Sequence, residues 1–150
     1  MGAVAVHQKI FDGVVNAAPE KAVELFHGYT YSGHPLACSA ALAMQEIYRQ
    51  ENLIAKGRES SEYFLDLMHA IGDEFDVVKD VRGYGMIAGM ELEADGPVGA
   101  RGTDFYQTQF HQGLHVKTTG DNAIIAPALV AERSHIDELA DKIRTKLKSY

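Results

Sequence analysis

Phe26-His27-Gly28-Tyr29-Thr30-Tyr31-Ser32-Gly33-His34-Pro35 runs directly into Leu36-Ala37-Cys38-Ser39-Ala40-Ala41-Leu42, a polar, glycine-flanked loop followed by an alanine-rich helix. Pro35 suits the first helical position, where the missing N–H leaves no hydrogen bond unmade. Gly28 and Gly33 allow tight turns or a close approach of the backbone to a ligand. Hydroxyl side chains stand between them, and His27 and His34 flank them. A loop of this kind at a helix N-terminus suits a phosphate or carboxylate, because free N–H groups and the helix dipole point at it. The same pattern also describes an ordinary capped loop, and local physics alone leaves both readings open.

Outward from this stretch, the length of the chain fits one domain. Its 150 residues are 46% hydrophobic and 23% charged, ordinary for a globular chain with a real core. The net charge of −7 argues against nucleic acid or an anionic membrane as partner, since either would call for a basic face. No apolar run approaches membrane-spanning length, and no basic leader precedes an apolar segment. Cys38 is the single cysteine, so no internal disulfide forms, which fits a reducing, cytoplasmic setting. It reads as a small core residue. The seven histidines show no metal-ligand spacing, and no metal is expected.

The apolar pattern predicts the elements. Residues 1–6 read as a buried strand, 7–15 as a short helix with Ile10, Phe11 and Val14 on one face, and 16–24 as an exposed loop. A helix over 36–50 carries Leu36, Ala40, Met44 and Ile47 on one stripe. A second helix, over about 53–71, carries Leu53, Phe64, Leu67, Met68 and Ile71, with Gly72 at its C-terminal stop. Strands follow at 75–79 and 84–93, joined by Val81-Arg82-Gly83-Tyr84-Gly85. The second alternates Met86, Ala88, Met90 and Leu92 against Ile87, Gly89 and Glu91. Thr103 is placed to cap a helix bearing Phe105, Tyr106 and Phe110 that Gly113 ends. Residues 114–117 and 123–126 read as short strands around Thr118-Thr119-Gly120-Asp121-Asn122. Ser134 and Asp137 suggest a capping box for a last helix striped by Ile136, Leu139, Ala140, Ile143 and Leu147. The sum is an α+β layer, a small sheet covered by helices.

Residues 27–42, HGYTYSGHPLACSAAL, resemble the segment that follows the cofactor lysine in class III (omega-type) pyridoxal-phosphate aminotransferases. They are most similar to the omega-amino-acid:pyruvate, or β-alanine:pyruvate, branch. Val81 to Leu92 matches the family's V-R-G-x-G-x-x-x-G-x-E-L stretch, and Met1-Gly2-Ala3-Val4 resembles the strand after that lysine. The resemblance implies the small C-terminal domain of a fold-type I enzyme over residues 35–150, with 1–34 a remnant of the large cofactor-binding domain. It implies transfer of an amino group from an amine or omega-amino acid to an α-keto acid such as pyruvate, in a homodimer. Thr30 matches the threonine that binds the cofactor phosphate of the neighbouring subunit, a hydroxyl donating to a phosphate oxygen. Tyr29 and Ser32 are placed beside it as cofactor-binding residues, Tyr29 also as a wall of the substrate pocket.

Two further residues are candidates for substrate binding. Arg82, between a strand and glycines, could clamp a carboxylate bidentately or form a structural ion pair. Lys117 stands where many relatives carry an arginine for the substrate carboxylate, and offers a point charge instead of a planar fork. The relatives' Pro-Pro-Leu is Pro127-Ala128-Leu129 here. Glu91, in an apolar strand, is a candidate buried carboxylate. Family catalysis needs a lysine that links to the cofactor and then moves a proton, and no lysine of this chain stands in that context. The expectation is therefore a C-terminal portion of such an enzyme with no catalytic residue of its own. The alternative is an inert oligomerisation or binding module derived from one.

Overall fold

A computed structural model describes residues 2–25 and 27–150. Met1 of the expected first strand and Phe26 of the loop lie outside the described residues. The chain divides into two compact units, Met1–Gln50 and Glu51–Tyr150.

The first unit is two helices and the loop between them. α1 spans Gln8–Asn16, and its first turn is capped by His7, whose Nδ1 accepts the Lys9 N–H at 3.1 Å. α2 spans Pro35–Gln50, with Pro35 at its first position as the sequence implies. Neither helix buries a residue: Ile10, Phe11 and Val14 on α1 and Leu36, Met44 and Ile47 on α2 are all exposed, and Cys38 is half-buried. The expected strand at 1–6 does not form over the described residues 2–6, which are irregular. A strand is held by the ladder of a neighbour, and apolar, β-branched character alone cannot supply one.

The second unit is α+β, as expected. Its order is α3 (Leu53–Glu74), β1 (Val78–Tyr84), β2 (Ile87–Leu92), α4 (Ala100–His111), β3 (Lys117–Thr119), β4 (Asn122–Ile125) and α5 (Arg133–Leu147). The strands make one antiparallel sheet in the order β1-β2-β4-β3. The alternation in β2 holds: Ala88, Met90 and Leu92 are buried, and they meet Phe64, Met68 and Ile71 of α3, Phe105 of α4, and Ile136, Ala140 and Ile143 of α5 in one core. A fully buried phenylalanine or leucine contributes about 1.5–3 kcal/mol relative to exposure, so this one-sided core is what holds the sheet flat against its helices.

Several boundaries differ from the sequence reading, some through caps and turns a few residues away and one through packing between elements. Val81-Arg82-Gly83-Tyr84 is strand, and the hairpin turns instead at Gly85-Met86, with Tyr84 opposite Ile87 and Gly85 at φ +59°. Gly72 lies inside α3; a Cβ there would come within 2.8 Å of Val81 Cγ2, so glycine lets β1 pack close. α4 begins at Gly99, not Thr103, whose hydroxyl donates back to the Gly99 carbonyl at 2.8 Å. α5 begins at Glu132, not Ser134: the Glu132 side chain accepts from the third helical N–H, and His135 Nδ1 accepts the Glu132 N–H at 3.0 Å. Glu91 is half-exposed rather than buried and stands 3.6 Å from Arg82.

Candidate functional site

The loop ahead of α2 is built from two overlapping turns. The Ser32 N–H donates to the Tyr29 carbonyl at 2.9 Å and the His34 N–H to the Tyr31 carbonyl at 3.4 Å, with Gly33 at φ +69° closing the second. The Cys38 N–H then donates to the His34 carbonyl at 2.9 Å, the first hydrogen bond of the helix. His34 Nδ1 sits 3.5 Å from the Ala37 N–H, at the limit of a capping bond. Tyr29, Thr30 and Ser32 thus lie in one exposed turn, with Tyr29 edge-on to the His27 ring at 4.7 Å. The turn presents hydroxyls to solvent beside a helix N-terminus. Among its described residues the turn carries no lysine or arginine.

Arg82 and Lys117 belong to the second unit. Register places them on one transverse row: Arg82 opposite Gly89, Gly89 opposite Ile124, Ile124 opposite Lys117. Residues directly opposite share a face, so both cations stand on the side of the sheet away from the core. Three strand spacings separate them, about 14 Å. Arg82 is occupied. It ion-pairs with Asp80 and, at 3.6 Å, with Glu91, and it donates to Asn122 Oδ1 at 3.2 Å. The Asp80 hydrogen bond, first of these, raises the guanidinium still further above neutrality. Lys117 is exposed on the short edge strand β3. Between the two, Gly89 carries no side chain, and the row has a shallow floor of Gly89 and Ile124.

One residue was read only as part of a turn and does more. The half-buried Asp121 carboxylate accepts the Gly102 N–H at 3.0 Å on one oxygen and the Gly99 N–H at 3.1 Å on the other. It caps α4 from 19 residues further along the chain. The Gly102 and then the Gly99 hydrogen bonds hold its carboxyl below the usual aspartate range. The Asp121 carbonyl accepts the Leu92 N–H at 2.9 Å, tying the same residue to β2. The only sequence signal for this was the pairing of Gly120-Asp121 with a second glycine-rich stretch, Gly99 to Gly102.

Among the described residues, no group of three His, Cys, Asp or Glu side chains could hold a metal ion, and no helix is long and apolar enough to cross a membrane. The aminotransferase class-III family matches residues 2–147, and the chain belongs to that family. It is 44% identical over 147 residues to an omega-aminotransferase of Caulobacter vibrioides, a match covering 97% of this chain and 33% of the relative. It is 34% identical over 145 residues to a β-alanine–pyruvate aminotransferase of Pseudomonas aeruginosa, covering 95% of this chain and 32% of the relative. A solved structure of a transaminase with L-alanine superposes with a TM-score of 0.74 at 29% identity, over 83% of this chain and 31% of that one. The chain spans about a third of the length of these relatives.

Proposed function

We propose that this chain works as part of an omega-type aminotransferase, which moves an amino group from an amine or omega-amino acid to an α-keto acid such as pyruvate. Residues 1–34 would belong to the large cofactor-binding domain and 35–150 to the small domain. The observation that carries this reading is the exposed Tyr29-Thr30-Tyr31-Ser32 turn directly ahead of α2, in a chain of this family. Pyridoxal phosphate, when bound, supplies the electron sink for the transfer. The loop fits one end of that group: Thr30 would donate to its phosphate, Ser32 would assist, and Tyr29 would line the substrate side. A single hydroxyl turn is a weak site, so the rest of the cradle would come from elsewhere in a dimer. Lys117 would meet the carboxylate of an omega-amino acid or keto acid as a point charge. Arg82, already held by Asp80 and Glu91, is the weaker of the two candidates for that role.

Borohydride reduction tests the reading. Mixed with pyridoxal phosphate and reduced, the 150-residue chain is expected to retain no covalently fixed cofactor at a defined lysine. The chain alone is not expected to hold the cofactor: its amide resonances around Thr30 should shift with pyridoxal phosphate, and not with pyridoxal, only when the rest of the enzyme is supplied alongside it. Stoichiometric fixation at one lysine would make the chain an independent cofactor enzyme and overturn the proposed division of labour. A second reading, an inert association module, draws on the exposed apolar faces of α1 and α2. It predicts concentration-dependent association and no phosphate-dependent shift at Thr30.

A further inference from the structure

β3 is the weakest element of the sheet to carry a substrate-facing side chain. It is three residues long, stands at the sheet edge, and pairs only with β4. A short edge ladder of that kind does not hold its own position. The turn that follows it is held far more firmly. Asp121 grips the start of α4 through the Gly99 and Gly102 N–H groups and grips β2 through its own carbonyl. The two backbones are in close approach: a Cβ on Gly102 would lie 2.0 Å from the Gly120 carbonyl oxygen, and one on Gly99 would lie 3.4 Å from Gly120 Cα. Gly120 takes φ +58°, which lets the turn present Asp121 to the helix. Only three residues, Thr118 to Gly120, lie between Lys117 and Asp121, and the first two of them belong to the ladder Lys117–Thr119.

We propose that Asp121 is a positioning residue: its carboxylate, bonded to the N-terminus of α4, clamps the β3–β4 hairpin and thereby sets where Lys117 stands. The proposal rests on Lys117 being the carboxylate contact described above. The clamp is electrostatic as well as directional, since an acceptor at a helix N-terminus meets both the orphan N–H groups and the positive end of the dipole. The charged neighbour facing it is Arg101, which follows Ala100 in the first turn of α4 and ion-pairs with Asp95 at 3.4 Å. The clamp joins two parts of the sequence that no local pattern connects, and it places the geometry of an edge strand under the control of a helix.

The test is amide hydrogen exchange and a pH titration on the full 150-residue chain. Asp121→Asn is near-isosteric and retains one acceptor oxygen, so folding is preserved while half of the clamp goes. The expected result is a selective loss of exchange protection across the Lys117–Ile125 hairpin, with the β1–β2 ladder unchanged. In the parent chain the Gly99 and Gly102 amide protons should shift together on acidification, with a midpoint below that of an ordinary aspartate; in Asp121→Asn this titration should vanish. Asp121→Ala should loosen the hairpin further, and Asp95→Asn should leave it as it is. Hairpin protection that survives in both Asp121 variants would overturn the proposal. The carboxylate reading fails separately: titration with β-alanine or pyruvate would then leave the Lys117 side-chain resonances unmoved, whatever the hairpin does.

Discussion

Gly102→Ala sets two opposed effects against each other at the third residue of α4. Intrinsic propensity favours the change by up to about 1 kcal/mol, because alanine restricts the unfolded chain and suits a helix. The tertiary contact opposes it. The added Cβ would stand 2.0 Å from the Gly120 oxygen, 3.0 Å from its carbonyl carbon and 3.1 Å from Asp121 Cα. All three atoms are backbone, so no rotamer change relieves them, and the helix start and the turn must part by roughly 1.4 Å to reach ordinary contact. That movement stretches the Asp121 hydrogen bonds at 3.0 and 3.1 Å beyond useful length. Overpacking of this kind costs about 1–3 kcal/mol, so the expected balance is a loss of about 1–2 kcal/mol. For a unit of this size a loss of 1 kcal/mol lowers Tm by about 4–8 °C. Thermal unfolding followed by circular dichroism reads this directly. Gly57→Ala and Gly72→Ala are the internal comparison, since their new methyls meet the side-chain tips of Leu129 at 2.5 Å and Val81 at 2.8 Å. Both should be milder. A Gly102→Ala chain that melts at or above the parent temperature would refute the close approach of α4 and the turn.

Phe64→Ala empties the centre of the core, where the ring is fully buried; the expected loss is about 3–5 kcal/mol, measured by urea unfolding, and a loss below about 1 kcal/mol would place the ring elsewhere. Lys117→Ala, on an exposed edge position, should leave stability within about 0.5 kcal/mol, which separates its proposed binding role from a structural one. On acidification, five carboxylates lose native interactions: Glu74, held low by the Arg144 hydrogen bonds; Asp104, held low first by Lys146; Asp121, held low first by Gly102; and the exposed Glu46 and Glu138, held low first by Arg49 and Lys142. Their native values lie below the unfolded ones, so their stabilisation is present above about pH 4 and is lost as the pH falls through those lower values. The urea midpoint should stay level from neutrality to about pH 4 and fall below it, less steeply in high salt. Tyr150 is the alkaline counterpart: burial first, then its 2.9 Å hydrogen bond to Asp104, pushes its phenol well above the ordinary tyrosine range. In an ultraviolet pH titration, Tyr150→Phe should remove the last tyrosine to ionise and leave the rest of the curve in place.

The core was largely legible because helix and strand periodicities report burial directly. The stripe Ile136, Leu139, Ala140, Ile143 and Leu147 was read from spacing alone and is buried throughout, and so is the Ala88, Met90 and Leu92 face of β2. The same logic overreached at the described residues 2–6 and along α1, where apolar spacing is present and burial is not. Periodicity states which face an element would bury and says nothing of whether a partner is there. The Thr30 loop was legible as a family signature, and its turns are of the kind Gly33 permits. The Asp121 clamp was not legible, because both of its partners lie in a different part of the chain and an aspartate after a glycine reads equally well as a plain turn.

Glycine shows why local reading stops where it does. Gly72 and Gly83 were taken as a helix stop and part of a connector, and Gly102 stands just ahead of the helix start read at Thr103. None of the three has positive φ; those that do are Gly33, Gly85, Gly96, Gly99, Gly113 and Gly120. The first group is glycine for space. A Cβ at Gly83 would meet Leu65 Cδ2 at 2.4 Å and the Ile87 carbonyl at 2.6 Å, and the nearest neighbours at Gly102 and Gly72 would stand at 2.0 and 2.8 Å. The second group is glycine for backbone freedom: a Cβ at Gly120 would meet nothing within 4 Å, and one at Gly99 would stand 3.4 Å from Gly120 Cα, an ordinary contact. A residue type with two independent physical causes cannot be assigned one from sequence. The distinction follows from the packing of α3 on β1 and of α4 on the β3–β4 turn. An alanine scan should therefore separate the two groups: strain without steric neighbours at Gly85 and Gly96, a repacking cost without backbone strain at Gly72 and Gly83. Equal losses at all four would mean that β1 stands further from α3 than the close approaches at Gly72 and Gly83 require.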